Sequence, residues 1–127
     1  MKKEIVTILS ILFLCAFSSF TAYAAGDLPR IVDEAGLLSA EEWEELSDKL
    51  DEISERQQVD VVVVTVNYLE GVSAAEYADD FFDYYGYGFG NERNGILFLV
   101  SPEEREWAIS TAGYGITAFT DAGQEYI

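Results

Sequence analysis

The sequence predicts an α/β fold built on a mixed, mostly parallel sheet with an antiparallel edge hairpin. Three observations carry this reading. Two short apolar, β-branched runs, Val59 to Val66 and Gly95 to Val100, flank one amphipathic helical segment, the order of a βαβ unit. A longer amphipathic segment precedes the first run and opens on a capping signal. A third strand pattern, Glu106 to Thr111, alternates in polarity and follows the second run after a proline-containing turn, as an antiparallel edge strand does.

The elements follow in order. Lys2 and Lys3 begin the chain, an apolar run extends from Ile5 to Phe20, and Ala22-Tyr23-Ala24 supplies a small-x-small cleavage triplet ahead of Ala25. Residues 1–24 are therefore expected to be a signal peptide. An uncleaved anchor is less favoured, because the apolar run is short of the ~20 residues that a span needs. A lipoprotein site at Cys15 is excluded by Leu14, which stands where a small residue is required. Residues 25–127 are expected to form one extracytoplasmic domain.

In that domain Pro29 holds the lead-in extended, and Ile31 and Val32 form a brief strand that ends at Asp33. Ser39 and Glu42 make a capping box, and Trp43, Leu46, Leu50 and Ile53 draw one apolar helical stripe. The remaining faces of that helix are acidic and read as solvated. Val59 to Val66 is a strand covered on both faces. Ser73 and Glu76 form a second capping box, and the helix they open carries Ala74, Tyr77, Ala78, Phe81 and Tyr85 on its apolar side. It stops at Gly86, Gly88 and Gly90. In the last strand Trp107 and Ile109 share one face, and Ala108 and Ser110 the other. A final helix is expected to begin at Thr120 or Asp121, and the gene product is expected to continue past Ile127.

Composition removes most chemistries. The 127 residues carry a net charge of −17. Cleavage after Ala24 would leave five cations against 23 carboxylates. Such a surface repels nucleic acid and anionic lipid. With no histidine, and a single cysteine inside the signal, the domain has no Ser-His-Asp triad, no thiol nucleophile and no His or Cys zinc site. The glycine loop follows a helix and lacks the Lys-Ser/Thr of a P-loop, so it reads as a flexible helix-to-strand connection.

Oxygen ligands are what remain. Asp79, Asp80 and Asp83 lie near a helix C-terminus, with two of them on one face, where repulsion and the helix dipole both disfavour them. A hard cation, Ca²⁺ or Mg²⁺, would relieve that cost. Asp33 and Asp121 each end an element and read first as N-cap or Asx-turn residues. Phe81, Phe82, Tyr84, Tyr85, Tyr87 and Phe89 supply aromatics for both a core and a groove.

The order of these signals resembles the TPM-domain family, also described as a TPM phosphatase domain. The matching pieces are Val32 to Ser39, Val61 to Val66, Tyr77-Ala78-Asp79-Asp80-Phe81-Phe82-Asp83, Gly86 to Gly90, Asn94 to Val100, Arg105, Thr111 to Gly115, and Thr120-Asp121-Ala122. The resemblance implies a three-layer α/β/α sandwich, export, and a C-terminal transmembrane tether with a Gly-rich tail beyond Ile127. Members of the family are variously linked to acid phosphatase activity, divalent-cation binding, photosystem repair and receptor association. The positions that fit its pattern are Asp33, Asp83, Asn94, Arg105, Thr111 and Asp121.

Two functions are expected on these grounds. The first is an exported, membrane-tethered module that binds Ca²⁺ or Mg²⁺ through Asp79, Asp80, Asp83 and Asp121, with Asp33, Asn94, Arg105 and Thr111 as ligand-binding or structural positions and an envelope protein as partner. The alternative is a metal-assisted phosphomonoesterase of low efficiency, in which Asp83 and Asp121 hold the cation and Arg105 clamps phosphate. The residues themselves assign no nucleophile and no general base.

Overall fold

The computed structural model describes residues 28–118. The expected signal peptide and the stretch containing Thr120 and Asp121 lie outside the described residues. The elements run β1 (Ile31–Asp33), α1 (Ala40–Gln57), β2 (Asp60–Thr65), α2 (Ala74–Tyr85), β3 (Gly95–Ser101), β4 (Glu106–Ala112) and α3 (Tyr114–Ala118). The sheet has the order β1-β2-β3-β4, with β1, β2 and β3 parallel and β4 antiparallel to β3. This is the expected α/β sandwich with its antiparallel edge hairpin.

The two-residue period of the strands divides the burial between two helices. Val62, Val64, Leu97, Leu99 and Ala108 point to one face, where Ala74, Ala78 and Phe82 of α2 cover them. On the other face α1 packs against β1 and β2, and Ile31 and Leu50 are buried. Over β3 and β4 that second face is more open. Phe98 and Trp107 lie 6.2 Å apart there, ring centre to ring centre, with Trp107 half-exposed.

Local chemistry sets the helix ends. Ser39 Oγ accepts from the Glu42 amide and Glu42 returns the contact to the Ser39 amide, so the capping box at α1 is complete. At α2 only the serine half forms, with Ser73 Oγ accepting from Glu76 N at 3.1 Å. The α1 stripe also buries Ser54, whose hydroxyl accepts from the Val61 amide at 3.0 Å and so ties the helix to the first turn of β2.

One expectation shifts. The buried stripe of α2 ends on Phe82, whereas Tyr85 is half-exposed. Gly95 explains the exchange: a Cβ there would collide with the Phe82 ring, so the glycine opens the seat that the ring fills. The last described helix, α3, begins at Tyr114, where Asn94 Oδ1 accepts the Tyr114 amide at 2.7 Å and Gly113 takes a φ of 56°; the helix expected from Thr120 or Asp121 lies outside the described residues.

The β1–α1 turn depends on Asp33. Its carboxylate accepts from the Leu37 and Leu38 amides at 3.0 and 2.9 Å, and the Thr65 hydroxyl donates to it from the neighbouring strand. Partial burial acts to raise the Asp33 carboxyl, but the bonds from Thr65, Leu38, Leu37 and Gly36 outweigh it and hold the group below the usual aspartate value. A depressed carboxyl contributes stability above the unfolded value near ~3.9, and that contribution fades as pH falls through the lower folded value. Asp33→Ala is expected to cost about 1–3 kcal/mol in urea denaturation at pH 7, with a difference from the parent chain that shrinks below pH ~4.

Candidate functional site

The strands and helices bring chemistry together in a cleft between α2 and β4. It has a volume of about 390 Å³ and is lined by Asp79, Phe82 and Asp83 on one wall and by residues 110–113 and Ile116 on the other. Asp79 and Asp83 share that wall because they are one helical turn apart. Ser110 alternates inward on β4, and its hydroxyl donates to Asp79 Oδ1. The cleft thus offers two carboxylates, the Ser110 hydroxyl and main-chain oxygens.

The far side of Asp83 is held by Arg93. Its guanidinium donates to Asp83 Oδ1 at 3.3 Å, to the Phe82 carbonyl at 3.3 Å, and twice to the Tyr87 carbonyl at 3.1 and 3.0 Å. It also sits 5.3 Å from the centre of the Phe82 ring. Arg93 therefore ties the last turn of α2 to the glycine loop, adding to the bond the Phe82 carbonyl already accepts from the Tyr87 amide and holding the Tyr87 carbonyl beyond the helix. Gly88, at φ 121°, lies so close to Arg93 that a Cβ would strike its backbone.

The same loop is pinned from the sheet side. Asp60, at the start of β2, accepts from the Gly88 amide at 2.8 Å through one oxygen and from Arg30 Nε and Nη2 at 3.1 and 2.9 Å through the other. Its own amide donates to the Asn94 carbonyl. Arg30 also reaches Asp51 on α1 at 2.8 Å. A second cavity, of about 430 Å³, opens beside this junction and is lined by Arg30, Glu55, Asp60, Phe89 and the loop glycines.

The residues singled out from sequence fall into different places. Asp79 and Asp83 share the α2–β4 cleft with Thr111, while Asp80 turns to the other side of α2, beside Tyr77 and Tyr84. Asp33 anchors the β1–α1 turn at the other end of the sheet. Asn94 pairs with Phe89 through its main chain and receives Tyr114 through its side chain, which fixes the start of α3 against β3. Arg105 sits in the β3–β4 turn at φ 55°. The first four residues of β4, Glu106 to Ile109, separate it from the nearest cleft residue, Ser110, by roughly 17 Å along the strand. Asp121 lies outside the described residues. Among the described residues no three acidic side chains converge as a metal cluster. Arg93, Ser110, Asp60 and Arg30 were not anticipated as participants; their roles come from contacts across the fold that no local motif announces.

The fold is a small α/β sandwich whose α2–β4 cleft presents oxygen donors. The chain belongs to the TPM domain family, whose model it matches over residues 31–127. Among solved structures it is similar to the N-terminal domain of a protein from P. gingivalis, with 27% identity and a TM-score of 0.66 over 77% of this chain and 62% of that one. It shares its fold with the N-terminal domain of the cg2496 protein from Corynebacterium glutamicum, at 21% identity and a TM-score of 0.58, over 80% of this chain and 66% of that one. The chain thus spans less than two thirds of the first of these structures. No curated protein matches it.

Tyr87 gives a test of how the loop is seated. Its buried hydroxyl donates to the Pro29 carbonyl at 2.7 Å. Burial first, then the carboxylate of Asp60 and the hydroxyl of Tyr85, push it up to about 12, against the opposing pull of Arg30. A raised group contributes stability that is complete below the unfolded value near ~10 and is lost as pH rises through the folded one. Tyr87→Phe is expected to cost about 1 kcal/mol at neutral pH by urea denaturation, and to remove part of the alkaline decline that the parent chain shows from pH ~10 upward.

Proposed function

We propose that this chain is an exported binding domain of the cell envelope that takes a hard divalent cation, Ca²⁺ or Mg²⁺, in the α2–β4 cleft. The observation that carries the reading is the pairing of Asp79 and Asp83 on one wall, facing Ser110 and the main chain of residues 111–113 on the other. The donors are all oxygen, which suits a hard cation and no soft one. Asp121, eight residues beyond Gly113 in the chain, is the third carboxylate that this reading gives to the site. The exposed positions of Asp79 and Asp83, together with the Arg93 contact that a cation would have to displace from Asp83, suit modest affinity.

Export, a membrane tether and an envelope protein as partner belong to the same reading. The basic, apolar and small-x-small order of residues 1–24 supports export. None of the described helices is long and apolar enough to cross a membrane. A phosphomonoesterase has weaker support. The guanidinium it relies on, Arg105, stands roughly 17 Å along the strand from Ser110, the nearest cleft residue. The nearer one, Arg93, is committed to the carbonyls of Phe82 and Tyr87.

The reading is tested by titrating CaCl₂ and MgCl₂ into the chain and following its melting temperature. A saturable rise of about 3–8 °C is expected at ten times the dissociation constant, and it should vanish in the Asp79→Asn/Asp83→Asn double variant. A flat titration, or an equal rise in the double variant, would remove the cleft as a cation site.

A further inference from the structure

On the opposite side of α2 from the cation cleft, the helix displays a row of aromatic rings. Tyr77, Phe81 and Tyr85 follow at four-residue steps, with ring centres 6.5 and then 4.6 Å apart, and Tyr84 meets Tyr85 edge-on at 5.0 Å. They form the floor of a shallow groove of about 510 Å³. Tyr84 is 84% exposed and Tyr85 50%, so these two rings contribute little to the core. Among the described residues, every charged one that lines the groove is acidic: Glu34 from the β1 end, and Asp80 and Asp83 from α2. Asp83 shares its charge with Arg93, whereas Glu34 and Asp80 face the rings without a cation among the lining residues.

Exposed tyrosines in a negative field form a surface of defined preference. The π faces attract cations, and carboxylates beside them add Coulomb attraction while repelling acidic or phosphorylated partners. The Tyr77 hydroxyl registers that field: burial, followed by Glu34 and Glu70, raises it above the ordinary tyrosine value. We infer that this groove docks a basic peptide segment of a partner protein, with arginine or lysine side chains lying across Tyr84 and Tyr85 and their charges meeting Glu34 and Asp80. The stems of those side chains cover the rings while their heads remain at the acidic rim, which is how long cationic side chains bury apolar surface. Arginine is favoured over lysine because its planar guanidinium stacks on an aromatic face. The groove shares Asp83 with the α2–β4 cleft but needs no cation there, so its test is made without divalent ions.

A net charge of −17 attracts any basic peptide, so the test has to separate the groove from general acidity. The probe is a fluorescein-labelled peptide of alternating arginine and leucine, followed by anisotropy in EDTA so that the cation cleft plays no part. Tyr84→Ser/Tyr85→Ser leaves the charge unchanged and is expected to weaken binding roughly tenfold, with Tyr84→Phe/Tyr85→Phe restoring most of it. Glu34→Gln/Asp80→Asn should weaken it at least as much. The control pair Glu41→Gln/Glu44→Gln removes the same charge from the exposed face of α1 and should weaken it less than twofold. Equal losses from the groove and α1 charge pairs would reduce the attraction to bulk acidity and overturn the inference. So would a tyrosine pair without effect. A dimer in light scattering that Tyr84→Ser/Tyr85→Ser dissolves would assign the groove to a second copy of the chain and overturn it too.

Discussion

The carboxylate of Asp60 is the point through which the lower end of this domain is assembled. It lies 15% exposed at the first position of β2, facing an Arg30 side chain that is 10% exposed. Charges that far from water are costly unless every lone pair and proton is matched. Arg30 matches one oxygen twice and the Gly88 amide matches the other. The consequence is geometric. The lead-in to β1, the first residue of β2 and the glycine loop are held to one another, and Arg30 carries the link on to Asp51 of α1. If the loop settled elsewhere, Asp60 would keep Arg30 but its second oxygen would lose the Gly88 amide.

The candidate cleft inherits its shape from that junction. Once Gly88 and the Asn94 carbonyl are fixed against Asp60, the intervening turn presents Arg93 to the end of α2 and Asn94 to the start of α3. Arg93 then positions Asp83, and Asn94 positions the Gly113–Tyr114 segment. Both walls of the cleft thus trace back to Asp60, one through its carboxylate on Gly88 and the other through its main-chain amide on Asn94. Helix α2 serves three surfaces at once. Ala74, Ala78 and Phe82 face the core, Asp79 and Asp83 face β4, and Tyr84 and Tyr85 face solvent. A helix with small residues at two of its three buried positions sits close to the sheet, which leaves its flanks free to line clefts on either side.

Much of the architecture was legible because it follows from local rules. Capping serines, continuous β-branched runs and the alternation of β4 each have one structural solution at short range, and the strand and helix order followed. The α2 burial was less legible, since aromatic residues from Phe81 to Tyr85 surround the helix and leave its phase undetermined. Only the gap above Gly95 selects Phe82 over Tyr85. The i, i+4 spacing correctly grouped Asp79 with Asp83, while Asp80, one residue on, is turned about 100° around the helix axis and leaves the group. Arg30–Asp60 and Ser110–Asp79 join residues 30 and 31 positions apart, and no periodicity in a single sequence encodes such pairs. Asp33 was legible as a turn former, and Thr65 as its partner on β2 was not.

The most direct test of this account is the coupling free energy between Arg30 and Asp60, measured by urea denaturation of the parent chain, Arg30→Met, Asp60→Asn and the double variant. If the pair is the junction on which the loop and cleft depend, each single change leaves a partner uncompensated and costs about 2–4 kcal/mol, and the double variant costs clearly less than their sum, with a coupling of at least about 1.5 kcal/mol. Additive losses, with coupling within about 0.5 kcal/mol of zero, would mean that Arg30 and Asp60 act independently and that the loop is held by other contacts.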